Sequence, residues 1–379
     1  MKLNTDNPIL EFGGGFEKVR DSLSAVVLVG DRLWVASDEL TSVEQLSTND
    51  GLTFKDHKSF PLEGLIKLPA LGTKSDQEID IEGMDQRDSY LWLVGSHSIK
   101  RKNVKKKDAG KKDEAIAKIA KTEIEGNRFI LARIPLVANS TGEQELVAVA
   151  NAGGDQELLA ANKPERVLKA AQIAGDVKGN DLIAALKGSW LDHGDPHLEK
   201  FLSIPGKDNG FDIEGLAVSG DKIFIGLRGP VLRGWAIILE VAVDFSEPAG
   251  LKLRNVGPDG RLYRKHFLEL GGGGIRDLCV DGSDLLILAG PTMTLEGSVV
   301  VYRWKDALRS DEERLVFSEG LKLLLTIPHG EGTDHAEGMT IIPGSENPRQ
   351  VLIVYDSPSE DRKTGAAAVR ADVFNLPSS

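Results

Sequence analysis

Short apolar segments recur along this chain, and turn-forming residues separate them. Five near-continuous apolar runs are typical of strands that are covered on both faces. They lie at 33–36, 91–94, 223–226, 285–288 and 351–354. A further apolar run precedes each of them across a short turn. Outside 101–195 the connections are too short and too rich in Gly and Asp to hold helices, so the pattern predicts an all-β fold.

A polar, mostly acidic tract precedes each pair of apolar runs. The five tracts are Asp21–Ser24, Asp80–Met84, Asp212–Leu216, Ile275–Leu278 and Ala336–Met339. They recur about every 60 residues once the insert between the second and third is removed. Repeats of this length with four short strands each predict a five-bladed β-propeller.

The ends of the chain complete this arrangement. The last repeat lacks an outer strand, while residues 9–15 resemble the outer strand and glycine turn at 267–273. We therefore expect the N-terminal strand to pair with the last blade and close the ring, which removes exposed strand edges. Residues 1–379 would form a single domain.

The second blade is predicted to carry two inserts, at 101–127 and 140–195. Helical spacing of apolar residues predicts helices at 115–124 and 164–186. A sheet inside the second insert would instead give six blades. The run from Lys100 to Lys112 is basic, and we interpret it either as an arm that attracts anions or as a solvated loop.

Charge and composition limit the classes of partner that the protein is expected to bind. The formal net charge of −12 disfavours nucleic acid and anionic membranes as partners. The single cysteine, Cys279, excludes an internal disulfide. The apolar runs are too short to span a bilayer. We expect a soluble protein, either cytoplasmic or exported after removal of a signal peptide; the sequence does not indicate a protein partner.

In a propeller, equivalent positions on the inner strands converge on a central channel. The aligned residues are Ser24, Glu82, Glu214, Asp277 and Glu337. Four carboxylates this close repel each other unless a cation neutralises them, and calcium accepts about 6–8 oxygen ligands in flexible geometry. We therefore predict a calcium site. Alternatively, each carboxylate caps backbone N–H groups of the next strand or pairs with Arg87, Arg228 or Arg276.

More polar residues follow the second strands, which end at the same rim of the channel. They include the tracts 37–39, 96–97, 228–230 and 356–358. Four residues near this rim are the candidate catalytic groups. His97, Arg228 and Arg276 would hold an anionic substrate, and His97 or His335 would transfer protons at neutral pH.

The acidic motifs also carry a family resemblance. Asp80–Met84, Asp212–Leu216, Gly226–Pro230 and Ala336–Met339 resemble a bacterial family known as a domain of unknown function. The Asp-x-Glu-Gly element is similar to that of the esterase-like phytases. The series of channel residues resembles the calcium-activated nucleotidases, five-bladed propellers with a channel calcium on Ser and Glu ligands, although Asp277 departs from their pattern.

These observations lead to three functional hypotheses. The first is a calcium-binding propeller that hydrolyses a phosphorylated or otherwise anionic small molecule in its funnel, as a phosphatase or phytase would. The second is a non-enzymatic propeller with a structural metal that binds a ligand or a protein. The third is a lactonase or sugar-acting propeller.

Overall fold

Five mainly antiparallel sheets surround a central axis, which confirms the predicted five-bladed β-propeller. The computed structural model describes residues 7–70, 78–108, 110–152, 166–188, 193–244, 250–345 and 348–377. Among the helices it describes, none is long and apolar enough to span a bilayer.

The first blade follows a short strand and a short helix. In chain order these elements are β1 (Ile9–Glu11), α1 (Glu17–Asp21), β2 (Leu23–Val29), β3 (Arg32–Ser37), β4 (Ser42–Ser47) and β5 (Thr53–Pro61). Strands β2 to β5 run from the channel outwards in sequence order.

The second blade is built on β6, β7, β10 and β11 and carries both inserts. Its elements are β6 (Ile81–Arg87), β7 (Tyr90–Gly95), β8 (Lys100–Arg101), α2 (Lys112–Ile119), β9 (Thr122–Glu123), β10 (Leu131–Ala138), β11 (Gln144–Leu146), β12 (Val149–Ala152), β13 (Arg166–Lys169), β14 (Ala171–Gln172), β15 (Gly175–Asp176), β16 (Gly179–Asn180) and α3 (Asp181–Leu186). The described insert strands pair with each other or with β10, so they do not form a sixth blade.

Both predicted insert helices need correction. The first helix, α2, begins at Lys112 and ends at Ile119, so it begins and ends earlier than the predicted 115–124. Strand β9 follows it. The second is limited to α3, which begins where the Asn180 side chain accepts the N–H groups of Leu182 and Ile183. The preceding residues form hairpins instead, since β13 pairs with β12. Residues 153–165 and 189–192 of the predicted insert lie outside the described residues.

The remaining three blades follow in order. They contain β17 (Asp212–Ser219), β18 (Lys222–Gly229), β19 (Trp235–Asp244), β20 (Lys252–Leu253), β21 (Arg264–Glu269), β22 (Gly274–Asp281), β23 (Asp284–Gly290), β24 (Val299–Trp304), β25 (Leu315–Val316), β26 (Leu321–Ile327), β27 (His335–Ile341), β28 (Gln350–Asp356) and β30 (Asp372–Asn375). Strand β29 (Ala368–Arg370) lies between β28 and β30 in the chain but belongs to the first sheet. Short 3-10 turns lie at Lys106–Asp108, Gly126–Arg128, Glu199–Ser203, Gly206–Asp208, Pro258–Gly260, Ala307–Arg309 and Ser318–Gly320.

The N-terminal strand closes the ring. Strand β1 pairs in parallel with β5 of the first blade and antiparallel with β29, in the segment that leads into β30 of the last blade. The predicted closure is therefore confirmed, and β1 also extends the first sheet.

Tight packing of neighbouring blades forms the core. The second strands β3, β7, β18, β23 and β28 are buried over almost their whole length, as their apolar runs predict. Each inner strand packs against the inner strands of two neighbouring blades. At Gly83 a Cβ atom would lie 2.8 Å from the Leu216 backbone nitrogen, so this approach requires glycine.

Candidate functional site

Every inner strand carries a β-bulge near its start. The pairing of each inner strand with its second strand skips one residue, which has no partner opposite it. The skipped residues are Ser24, Glu82, Glu214, Arg276 and Glu337. Because a bulge redirects a side chain in the same way in each blade, these five positions are structurally equivalent.

The fourth position is therefore Arg276 and not Asp277. The sequence alignment chose Asp277 because it matched charge, whereas the bulge places the preceding residue at the channel. Asp277 occupies the position of Gly83 and Gly215 in the two preceding blades. The ring that was expected to contain four carboxylates contains three and one guanidinium.

Asp277 instead links neighbouring blades. One of its carboxylate oxygens accepts the N–H of Leu278 at 2.8 Å, and the other accepts the N–H of Met339 in the next blade at 2.7 Å. Asp85 acts in the same way, since its Oδ2 accepts the N–H of Val218 at 2.6 Å. These contacts correspond to the alternative in which carboxylates cap the next inner strand.

Two arginines neutralise part of the upper channel. The Nη1 atom of Arg276 lies 2.7 Å from Glu214 Oε2 and 2.9 Å from Glu337 Oε1. Arg228 contacts Glu214 at 2.5 Å and also pairs with Asp212. Both arginines were predicted to hold an anionic ligand, but the protein's own carboxylates occupy these contacts.

We define the funnel as the end of the channel where the inner strands begin and the second strands end. Its carboxylates influence one another's ionisation or share arginine partners. The funnel carboxylates are Asp38, Asp80, Glu82, Asp212, Glu214, Glu337 and Asp356.

Glu82 is a funnel carboxylate that no arginine or lysine contacts directly among the described residues. Its side chain is nine-tenths buried, and no hydrogen bond or ion pair reaches it within the described part of the chain. The nearby Arg128 contacts Asp80 instead, at 2.6 Å. Burial raises the pKa of Glu82 well above its usual range, and the Asp80 carboxylate raises this pKa further.

Asp38 presents a second carboxyl group without a partner. It follows β3, and its Oδ1 atom is buried without a hydrogen bond to any described residue. Burial raises the pKa of Asp38 to about 8, with further contributions from Asp80 and Glu337. From the sequence, Asp38 could be identified only as a polar residue of the rim. Its burial depends on the neighbouring blades, which no local pattern reveals.

His335 lies in the funnel, as predicted. Its Nδ1 is 3.8 Å from Asp356 Oδ2 and its Nε2 is 3.5 Å from Glu296 Oε2. The side chain is 31% exposed, so a ligand has access to the ring. The interaction with Asp356 raises the pKa of His335, while partial burial opposes this effect.

His97 is not accessible in the same way. It is buried, its Nδ1 lies 2.7 Å from the Gly95 carbonyl oxygen, and its Nε2 lies 2.7 Å from the Asn180 side-chain nitrogen. Nδ1–H therefore donates and Nε2 accepts, which uses both nitrogens of a neutral ring. Burial lowers the pKa of His97 to about 4. The structure places it under α3, apart from the converging carboxylates.

Calcium binding stays a prediction. The Ser24 hydroxyl donates to the Ile81 carbonyl oxygen at 2.6 Å, and Arg276 supplies positive charge between Glu214 and Glu337. Among the described residues, no group of three or more His, Cys, Asp or Glu side chains is arranged to hold a metal ion. The five-ligand ring does not fit calcium in its predicted form.

Residues 22–372 match the family described as "Protein of unknown function (DUF3616)". The chain belongs to the DUF3616 family. The match in this DUF3616 protein spans all five bulged positions, from Ser24 to Glu337. The sequence has no match among curated proteins.

Several solved structures resemble this DUF3616 protein over nearly its whole length. Myxococcus xanthus glutaminyl cyclase is 10% identical with a TM-score of 0.37, covering 98% of this chain and 95% of its own. Streptogramin B lyase is 7% identical with a TM-score of 0.36, covering 100% of both chains. The PQQ-bound aldose sugar dehydrogenase of Streptomyces coelicolor is 11% identical with a TM-score of 0.35, covering 98% and 100%. These names describe enzymes, and such distant likenesses assign no chemistry to this chain.

Proposed function

We propose that this DUF3616 protein is a small-molecule hydrolase whose active site is the funnel. The observation that carries the proposal is the position of His335, which is open to solvent beside Asp356 and next to buried carboxylates. A histidine in such surroundings changes its charge near neutral pH, which suits a group that transfers protons.

The fold fixes this pair of residues. His335 begins β27 and Asp356 ends β28, and the two residues are directly paired across the hairpin. Glu337 follows two residues later, at the bulge. Burial raises the pKa of Glu337 to about 7, although Arg276 opposes the shift. Two groups with raised pKa values, His335 and Glu337, therefore lie close together on one blade.

The proposed reaction uses His335 as a general base and then as a general acid. Neutral His335 removes a proton from water while the water oxygen bonds to the electrophilic atom of the substrate. The imidazolium is stabilised by the carboxylates of Asp356 and Glu296. It then returns the proton to the leaving group as the bond to that group breaks, which leaves the enzyme unchanged. Proton transfer of this kind contributes about 10²–10⁴-fold to a rate.

Calcium is a separate part of the proposal. The seven funnel carboxylates outnumber the three arginines that contact them, Arg128, Arg228 and Arg276. A calcium ion would reduce this excess of negative charge, because it accepts carboxylate oxygens in varied geometries. The charge excess supports an ion in the funnel, and no step of the reaction depends on it.

The test is a screen of chromogenic phosphate, carboxylate and sugar esters with wild-type protein and His335→Gln. We expect one ester class to be hydrolysed, and His335→Gln to lower kcat by at least about 100-fold. His329→Gln is the matched control, because His329 is an exposed histidine in the loop before β27. Full activity of His335→Gln would contradict the mechanism. Failure of every ester class would favour a non-enzymatic ligand-binding propeller.

A further inference from the structure

Two funnel carboxyl groups have no hydrogen bond or ion pair with any described residue, and they lie on neighbouring blades. Asp38 follows the second strand of the first blade, and Glu82 occupies the bulge of the second blade. Strand β3, which Asp38 follows, contacts β6, which carries Glu82, and after burial Asp38 is among the carboxylates that raise the pKa of Glu82. We infer that Asp38 and Glu82 bind a positively charged ammonium or guanidinium group of the substrate. This inference rests on the proposed function for its choice of the funnel as the substrate site.

The other ring carboxylates already have cationic partners. Arg128 contacts Asp80, and Arg276 contacts both Glu214 and Glu337. Glu82 remains nine-tenths buried with no such contact among the described residues. An unpaired buried carboxylate is unfavourable, and a cation bound beside it removes that penalty.

The protein's own side chains show which cations fit between blades. One terminal nitrogen of Arg276 reaches carboxylates of the third and fifth blades, which flank its own blade. The first blade has the uncharged Ser24 at the equivalent position, so the bulged position of this blade supplies no cation to bridge the first and second blades. A guanidinium or ammonium group from a ligand would make the same kind of bridge between Asp38 and Glu82.

An open pocket leads to Asp38. Asp38 lines a pocket of about 470 Å³ together with Glu17, Asp21, Glu39 and Asp356. Its lining includes a single cationic side chain, that of Lys18. A concave surface with this excess of negative charge attracts cations. Asp356 also faces His335, so a ligand held by the pair would place its remaining part beside the proposed proton-transfer group.

Positive charge could come from an organic ligand or from a metal ion. The described residues include no cluster of three or more acidic or histidine ligands for a metal. An organic cation needs only two carboxylates at suitable spacing, as Arg276 demonstrates with Glu214 and Glu337. The structure therefore favours the organic cation, and calcium serves as the comparison.

The test titrates the full chain with methylguanidinium, agmatine and calcium chloride, using calorimetry at low salt and thermal-shift curves. We expect saturable binding of methylguanidinium and agmatine to the wild type. Asp38→Asn and Glu82→Gln should each weaken binding about tenfold or more. Glu331→Gln is the control, because Glu331 is an exposed acid near the same rim, and it should bind as the wild type does.

Three results would overturn the inference. The first is that neither organic cation binds saturably. The second is that Asp38→Asn and Glu82→Gln leave the binding unchanged. The third is that only calcium binds saturably, which would assign the pair to a metal. Circular dichroism establishes that each variant is folded. His335→Gln separates the two proposals, because it should lose hydrolysis and keep cation binding. Hydrolysis that depends on His335 without any cation binding would end this inference and leave the proposed function in place.

Discussion

Replacing Asp38 with asparagine is expected to stabilise the protein at neutral and alkaline pH. Burial raises the pKa of Asp38 from 3.8 to about 8 in the folded state. Between these values the folded protein retains a proton that the unfolded chain has released. The stability that this proton provides is fully present below the unfolded pKa and is lost as the pH rises through the folded pKa. Asparagine does not ionise, so the Asp38→Asn variant does not lose this stability as the pH rises.

The size of the effect follows from the pKa. A group that is protonated when folded and ionised when unfolded changes the free energy of unfolding by about 1.4 kcal/mol per pH unit. From about pH 5 to about pH 8 the full effect would be about 4 kcal/mol. Asp38 is partly exposed, and solvent that reaches it screens the interaction. We therefore expect the advantage of Asp38→Asn to grow by about 2 kcal/mol over this interval.

Urea denaturation followed by tryptophan fluorescence, at several values of pH across this interval, measures the difference. Asp361→Asn is the control, because it makes the same chemical change at an exposed site, and its difference from the wild type should stay constant with pH. An advantage of Asp38→Asn that does not change with pH would refute the reasoning. So would a wild type that is more stable than the variant at about pH 8, since that would mean that the ionised carboxylate has a counter-charge.

Three further predictions concern the channel. Arg276→Met should lower the free energy of unfolding by about 3 kcal/mol at neutral pH, because the two carboxylates that Arg276 bridges lose their counter-charge. Urea denaturation measures this free energy, and an unchanged value would show that the bridge is dispensable. Gly83→Ala should cost about 1–3 kcal/mol, since its Cβ would lie 2.8 Å from Leu216, whereas Gly14→Ala meets nothing within 4 Å and should be neutral in the same assay. If calcium is bound, elemental analysis will find one ion per chain and a chelator will lower the melting temperature; metal-free protein with the same melting temperature would end the calcium prediction.

The apolar pattern was sufficient to predict the blades because the second strands are buried on both faces. Such strands need continuous apolar runs, and runs such as 223–226 are visible without any knowledge of neighbours. The closing strand was also recognisable, because residues 9–15 repeat the pattern of another outer strand. The helices of the inserts were harder to predict, since Val167 and Leu168 suit a helix or a hairpin equally. The pairing of β13 with β12 determines that they form a hairpin.

The candidate site was predictable only in part. Glu82, Glu214 and Glu337 could be aligned because glycine follows each of them and permits close packing. The fourth ring position was assigned to Asp277, one residue after Arg276, because a bulge is a property of strand pairing and cannot be recognised in a tract such as 274–278. Similarly, the burial of His97 depends on Asn180, which lies in an insert more than eighty residues later.

The position of β1 has a consequence for the synthesis of the chain. This strand leaves the ribosome long before one of its two partners, β29, which follows it only after the inner strands of all five blades have been synthesised. Until residues 368–370 emerge, β1 lacks its antiparallel partner, so the junction between the first and last blades depends on contacts such as that of β2 with β27. Proteases should therefore digest ribosome-bound chains that stop before β29 faster than released protein.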